Sequence, residues 1–213
     1  MHKLERTQPE PPSLKSAREN DLTHWDEFST SDKKTVRDEL LMMQNFRCAY
    51  CECTLHAVSD EAEDKWDGHI EHFRRKDQNF HPELTFVWEN LFYSCCTRAT
   101  CGKHKDNFVN DKSQYALLID PCKENPEDFF IFDDQGKIAV RSTLSDADRE
   151  RAEFTIEAFG LADPQLTQKR KENLRKHQWM KQYPEQLDMN LSAIGDEPFI
   201  TAIYNYFGKR VVS

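Results

Sequence analysis

No run of apolar residues in this sequence approaches the roughly 20 that a membrane-crossing helix needs. The polar N-terminus also lacks the apolar core of a signal peptide. These absences predict a cytoplasmic protein with no membrane association. Glycine is scarce, with six in 213 residues, and no Gly-rich phosphate-binding loop occurs, so a nucleotide switch would have to come from another protein. Internal repeats and low-complexity tracts are missing. Positive charge is in short supply: 29 Lys and Arg against 38 Asp and Glu leave a net charge of −9. That balance excludes a protein that coats nucleic acid by bulk electrostatics, and any such contact needs a local basic patch or a partner.

The length suffices for one domain with its own core, or for a small catalytic module with helical additions. Seven cysteines, an odd number, in a reducing compartment read as metal ligands and buried thiols rather than as a disulfide framework.

Residues 1 to about 20 hold Pro9, Pro11 and Pro12 among charged and polar neighbours and are predicted to form an extended arm. Residues 21–125 then form the central module, and 126–213 a hairpin with a helical C-terminal part. Val36, Leu40, Leu41 and Met43 recur at helical spacing behind a Ser31 cap, predicting a helix over 31–46. Residues 56–67 carry Asp60, Glu61, Glu63, Asp64 and Asp67, a solvated loop whose charge would keep it from phosphate. A short strand follows over 69–73 and a short helix over 103–108. Phe129 to Arg141 reads as a hairpin turning at Asp133-Asp-Gln-Gly136. Three helices follow: Ser145 to near Gly160, Asp163-Pro164 to about Tyr183, and Asp196 to Gly208. The middle one carries Lys169, Arg170, Lys171, Arg175, Lys176, His177 and Lys181, either a solvated face or one that tracks phosphates.

The chemistry concentrates between Cys48 and Lys105. Cys48-x2-Cys51 and a distal pair about forty-five residues on, Cys95 or Cys96 with Cys101, fit a four-cysteine zinc site. Counting forward from Asn90-Leu91 favours Cys95. Cys53 and Cys122 have no partner at ligand spacing and read as small buried residues. Between the pairs lies Gly68-His69-Ile70-Glu71-His72-Phe73. A neutral His removes a proton from water near pH 7, and a neighbouring carboxylate holds a divalent metal, the two requirements of phosphodiester hydrolysis. In a strand Glu71 and His72 point to opposite faces, so sharing one site requires the strand to bend or end there. His69 is a substrate contact, a group that supports the catalytic residues from behind, an auxiliary metal ligand or a structural residue. Arg74, Arg75 and Lys76 follow directly and are candidates for phosphate contact.

Cys48-Ala-Tyr-Cys51, His69-Ile-Glu-His72-Phe, Trp88-Glu-Asn90-Leu91 and Cys101-x3-Lys105 together resemble the ββα-metal finger of HNH endonucleases. More narrowly, they resemble the PtuB-type HNH proteins of Septu and retron-associated antiphage systems. The motif match covers about residues 46–108. The resemblance implies an α+β protein, with a zinc-stapled ββα-metal HNH finger embedded in a mainly helical domain. It implies His72 as general base, Glu71 as carboxylate ligand of a catalytic Mg2+ or Mn2+, and Asn90 as the residue that ties the loop and orients the base. Many such fingers place Asn or His after the last cysteine, where this chain has Gly102. His104 is then the expected second metal ligand and Asp106 its competitor. Lys105 joins Arg74, Arg75 and Lys76 in positioning the substrate backbone. The implied activity is that of a toxic effector beside an SMC-like ABC ATPase of PtuA type, with a reverse transcriptase and its RNA–DNA hybrid in retron versions. RNA such as a tRNA loop remains open as substrate beside DNA. Gly102 also keeps open a non-catalytic zinc-ribbon binding subunit.

Overall fold

The computed structural model describes residues 1–58 and 65–211, so the acidic stretch expected at 56–67 lies largely outside the described residues. Within it, the Asp67 carboxylate accepts the His56 N–H at 2.8 Å.

The architecture is mixed α and β. Helices α1 (Pro12–Glu19) and α2 (Thr30–Met43) precede two short strands, β1 (Ala57–Val58) and β2 (Lys65–Trp66). Strands β3 (Gly68–His72) and β4 (Leu91–Cys95) pair antiparallel, and helix α3 (Cys101–Phe108) follows. A hairpin, β5 (Phe130–Phe132) with β6 (Ile138–Val140), leads into α4 (Asp146–Ala158), α5 (Pro164–His177), α6 (Leu187–Ala193) and α7 (Ile200–Tyr206). Among the described residues there are three sheets of two strands each.

Residues 1–20 correct the expectation of an extended arm. Pro11 and Pro12 occupy the cap and first position of α1, where a missing N–H costs nothing. The prolines therefore start a helix that buries Leu14 and Ala17, and Met1 and Leu4 are buried too. The segment is strapped onto the centre of the molecule. Leu4 N–H donates to Pro121 O at 2.9 Å, and Arg6 donates to Leu91 O at 2.6 Å while lying over the Trp88 and Phe92 rings. The Met1 α-amino group pairs with buried Glu52 at 2.6 Å.

The cap of helix α2 lies two residues earlier than expected, because Ser29 rather than Ser31 accepts the Asp32 N–H, at 3.0 Å. Its end is set by Asn45 and Phe46 in the left-handed region, which turn the chain toward Cys48. Helices α4 and α5 start at the expected caps, Ser145 and Asp163. Helix α5 ends at His177, short of the expected Tyr183, with a 3-10 turn over 178–182 carrying the chain on, and α6 lies between the two helices that were expected.

The core around the β3–β4 pair is aromatic. Tyr50 stacks on Phe159 with ring centroids 4.1 Å apart, and Phe73 meets both Phe92 and Phe159. Helix α3 packs on β4 and on α4, which holds the end of β4 and the start of α3 against the Cys48–Cys51 turn.

Candidate functional site

The chain reverses sharply at Cys48. Cys48 N–H donates to Cys53 O at 2.9 Å and Glu52 N–H to Cys48 O at 3.0 Å, with Glu52 in the left-handed region. That turn presents Cys48 and Cys51; the end of β4 presents Cys95, and the first residue of α3 presents Cys101. The four sulfurs lie within 4.8 Å of one another and all four residues are buried. Cys51 and Cys95 sulfurs are 3.9 Å apart. Four sulfurs at 2.3 Å from a tetrahedral ion stand about 3.8 Å from each other, so spacing and soft donors together could hold a metal ion. The Cys95 N–H points at the Cys48 sulfur at 3.4 Å, as a thiolate-stabilising amide would. Cys96 does not join the cluster: it is exposed, with its sulfur 3.8 Å from His69 Nδ1. Cys53 and Cys122 are half-buried.

Strand β3 keeps a regular register through its last residue, with Glu71 opposite Phe92 and His72 opposite Leu91. The bend that would bring Glu71 and His72 to one face is absent, and the two side chains find different surroundings. Glu71 is buried against α3. It accepts from the Tyr50 hydroxyl on Oε2 and from the Lys105 ammonium on Oε1. Lys105 Nζ also donates to His72 O at 2.5 Å and Phe73 O at 2.8 Å, and lies 3.1 Å from Asp106 Oδ1. The ammonium thus sits in a cage of four oxygens, fully buried. Burial pushes the Glu71 carboxyl upward against the pull of Lys105. Burial acts downward on Lys105, yet the Glu71 and Asp106 carboxylates outweigh it and hold the ammonium above its ordinary value. The structure therefore places Lys105 where no nucleic acid can reach it, correcting its expected role at the substrate backbone.

His72 faces the other way. Its Nε2 lies 2.9 Å from Thr85 O, and Trp25 meets the ring edge-on with centroids 4.9 Å apart. A carbonyl only accepts, so Nε2 carries the proton and the neutral ring keeps Nδ1 as its acceptor. Burial, with help from Lys76, lowers the imidazole pKa to about 3. His72 is consequently a neutral base at physiological pH. Trp25 and Thr85, which hold it, both line a cavity of about 840 Å³ that also contains Arg75, Lys76 and Asp106.

The remaining predicted residues separate into two groups. Asn90 closes the loop after β3: its Oδ1 accepts Arg74 N–H at 2.8 Å, and its Nδ2 donates to Arg74 O at 2.9 Å and Leu84 O at 3.2 Å. The basic triplet diverges. Arg75 lies over the Phe80 ring, pairs with Asp77 and donates to Asp106 O at 2.5 Å, while Arg74 lines a separate small cavity beside Asn90. His69 shares a strand face with Glu71 and is lowered mainly by burial. His104 is engaged elsewhere, its Nδ1 2.9 Å from Ala158 O at the end of α4 and its ring stacked on Phe108. Among the described residues no second group of three or more His, Cys, Asp or Glu side chains converges as the four thiols do. As ligands for a hydrolytic metal, Glu71 and His104 do not fit together. The carboxylates that do lie together, around Lys105, are Glu71 and Asp106.

Three residues around this site carried no signal in the sequence. Thr85 acts through its backbone carbonyl, to which residue identity is blind. Trp25 comes from a turn before α2, far along the chain. Tyr50 lies inside the Cys-x2-Cys turn and was open to inspection, but its hydroxyl becomes relevant only once β3 is placed over it.

No family model matches the chain. It is similar to a retron Vc95 protein of Vibrio cholerae serotype O1 biovar El Tor whose name proposes an HNH endonuclease, 31% identical over 160 residues and 70% of each chain. It is also similar to Septu protein PtuB from Bacillus mycoides, 27% identical over 169 residues, and to Septu protein PtuB from Bacillus thuringiensis, 33% identical over 94 residues. Those matches span 67% and 44% of this chain, and 52% and 31% of the two PtuB proteins. A four-thiol cluster beside a buried neutral histidine fits the HNH nuclease class, and the chain belongs to the PtuB-type HNH family. No helix among the described residues is long and apolar enough to cross a membrane.

Proposed function

We propose that this protein is a metal-dependent HNH endonuclease that hydrolyses nucleic-acid phosphodiester bonds as the toxic effector of an antiphage defence complex. The observation that carries the reading is His72. A buried imidazole, held by Thr85 O through Nε2 and neutral in the resting protein, keeps Nδ1 as the acceptor for a water, and an incoming phosphate anion would raise its basicity from the low value that burial sets. The cavity beside it has Arg75 and Lys76 on its wall, cations suited to a phosphate. Asn90 holds the loop from which both cations extend. Hydrolysis on this pattern leaves 5′-phosphate and 3′-hydroxyl ends. Zn2+ in the four-cysteine cluster would staple β4 and α3 to the Cys48–Cys51 turn, contributing on the order of 10 kcal/mol to folding. Of the expected ligands for a hydrolytic Mg2+ or Mn2+, Asp106 is the carboxylate on the cavity wall and would supply an oxygen donor there, whereas Glu71, buried and already paired with Lys105 and Tyr50, does not fit that role as folded here. The position of Asp106 on the cavity wall supports it over His104. A PtuA-type ATPase is the partner the family membership favours, since the chain has no nucleotide-binding loop of its own. No relative's name mentions a reverse transcriptase, and the proposal omits one.

A second reading, a non-catalytic zinc-ribbon subunit, draws on one observation: Lys105 already neutralises Glu71. One experiment separates the two. Purified protein, alone and with its ATPase partner, is incubated with supercoiled plasmid, single-stranded DNA and tRNA in the presence and absence of Mg2+ or Mn2+. Divalent-dependent cutting that is lost in His72→Ala supports the nuclease, and the polymer cut identifies the substrate. Cutting that survives His72→Ala overturns the role of this residue, and the absence of cutting under every condition favours the binding subunit.

A further inference from the structure

We propose that α5 and the turn beyond it form a second nucleic-acid contact, a ladder of two cations and two aromatic rings that binds single-stranded nucleic acid away from His72. Residues 164–183 hold six Lys or Arg against a single acid, Glu172, in a chain whose net charge is −9. These cations are not equivalent. Arg170 turns inward, fully buried, over the Phe132 ring and onto Leu161 O. Lys169, Arg175 and Lys176 are exposed and Lys171 half-exposed. Among the described residues no carboxylate pairs with any of these four.

Lys171 and Arg175 lie one turn apart on α5, and Trp179 and Tyr183 follow in and directly after the 3-10 turn that continues it over 178–182, so cations and rings succeed one another along this ridge. Trp179 and Tyr183 are 47% and 45% exposed, with ring centroids 6.1 Å apart, an unusual display for large aromatics on a polar surface. The ridge begins at a cavity of about 520 Å³ lined by Lys171, Lys137, Gln135, Gln168 and Thr167. Gly136 builds that cavity. With φ of 77° and room for no side chain, since a Cβ would lie 2.7 Å from Thr167 O, it lets the β5–β6 turn dock on α5 and sets Lys137 alongside Lys171.

Cations that track a backbone and rings on which bases stack are the two components of single-strand recognition. From residue 171 to 183, α-helix followed by a 3-10 turn, the chain rises about 20 Å, room for on the order of five or six stacked bases. A duplex would leave the rings unused because its bases are already stacked. An acidic protein surface is less well matched, since protein interface cores exclude charge and here cations precede the rings along the same ridge.

The test is fluorescence anisotropy of a labelled 20-nucleotide single strand, DNA and RNA, with full-length protein in buffer free of divalent cations. Trp179→Ala should weaken binding about 5- to 100-fold, the effect of losing one stacked base. Lys171→Gln with Arg175→Gln should lower the slope of log affinity against log salt by roughly 1.4. Wild-type affinity in these variants, or no binding by the wild type, overturns the proposal. Equal affinity for a duplex with Trp179→Ala silent also overturns it, as does equally tight binding of polyglutamate, which would make the face a protein contact. His72→Ala protein that binds the strand normally but fails to cut it keeps the two proposals separable.

Discussion

A Cβ on Gly102 would lie 2.2 Å from Glu71 Cγ, so the carboxylate side chain crosses α3 through the space that a side chain at 102 would fill. This explains why the chain departs here from the Asn or His that many HNH fingers carry. With Glu71 laid across the helix, position 102 cannot supply a ligand, and the carboxylate is brought to Lys105 one turn on. Gly102→Ala should therefore cost about 1–3 kcal/mol, the penalty of overpacking a rigid contact, even though alanine favours helix over glycine. Urea unfolding measures it. A neutral or stabilising Gly102→Ala would show that Glu71 moves freely and that its seat on α3 is loose.

The Lys105–Glu71 pair should behave as a buried ion pair does. Lys105→Met leaves Glu71 charged and sharing only the Tyr50 hydroxyl, at a cost of about 3–5 kcal/mol. Adding Glu71→Gln removes the stranded charge, so the double variant should recover most of that loss. Thermal melts of the four proteins in a double-mutant cycle check this, and strict additivity of the two changes would show that the groups do not interact.

Much of this was legible in the residues, and what escaped has identifiable causes. Cys48, Cys51 and Cys101 could be placed by spacing because a metal site constrains the chain within a few residues. Cys95 and Cys96 could be ranked from the sequence but only the strand's register separates them: Cys95 ends β4 buried while Cys96 emerges into solvent. Motif position predicts that a residue lies near a site, not which way it turns. His104 and Asp106 both follow Cys101 closely, yet α3 sends one to α4 and the other to the cavity lined by Trp25 and Thr85. The motif puts Lys105 at the substrate backbone, but its burial depends on an oxygen cage assembled from β3, the residue after it and α3, which no local spacing reveals. The prolines of residues 9–12 misled for the converse reason. They mark a boundary, and here the boundary is a helix start.

The cysteines can be sorted by metal content. Cys95→Ser and Cys101→Ser should each lower bound zinc well below one equivalent and yield a poorly folded protein, because metal binding and folding are one equilibrium here. Cys96→Ser should keep a full equivalent and wild-type melting, since its sulfur lies outside the cluster. Elemental analysis of purified protein reads this out. A Cys96→Ser protein that loses its metal while Cys95→Ser retains it would reverse the assignment.

His72 allows a pH test with a defined sign. Its pKa is lowered from 6.5 to about 3 in the folded protein by burial. Between those values the unfolded chain binds a proton that the folded protein refuses, so this residue's contribution to stability falls as pH drops from 6.5 toward 3. The slope is at most about 1.4 kcal/mol per pH unit. His72→Gln retains an N–H donor for Thr85 O but cannot titrate, so it should lack this dependence. Comparing the two proteins cancels the acid release of metal and every other group they share. From pH 7.5 to 5.0 the wild type should lose about 2 kcal/mol relative to His72→Gln in urea melts. A difference that stays constant over this range would mean that the imidazole takes up its proton normally in the folded state. It would then be largely charged below pH 6 and unable to serve as a base there, and cleavage would show a steep acid limb near 6.5 in place of the flat profile expected down to pH 5.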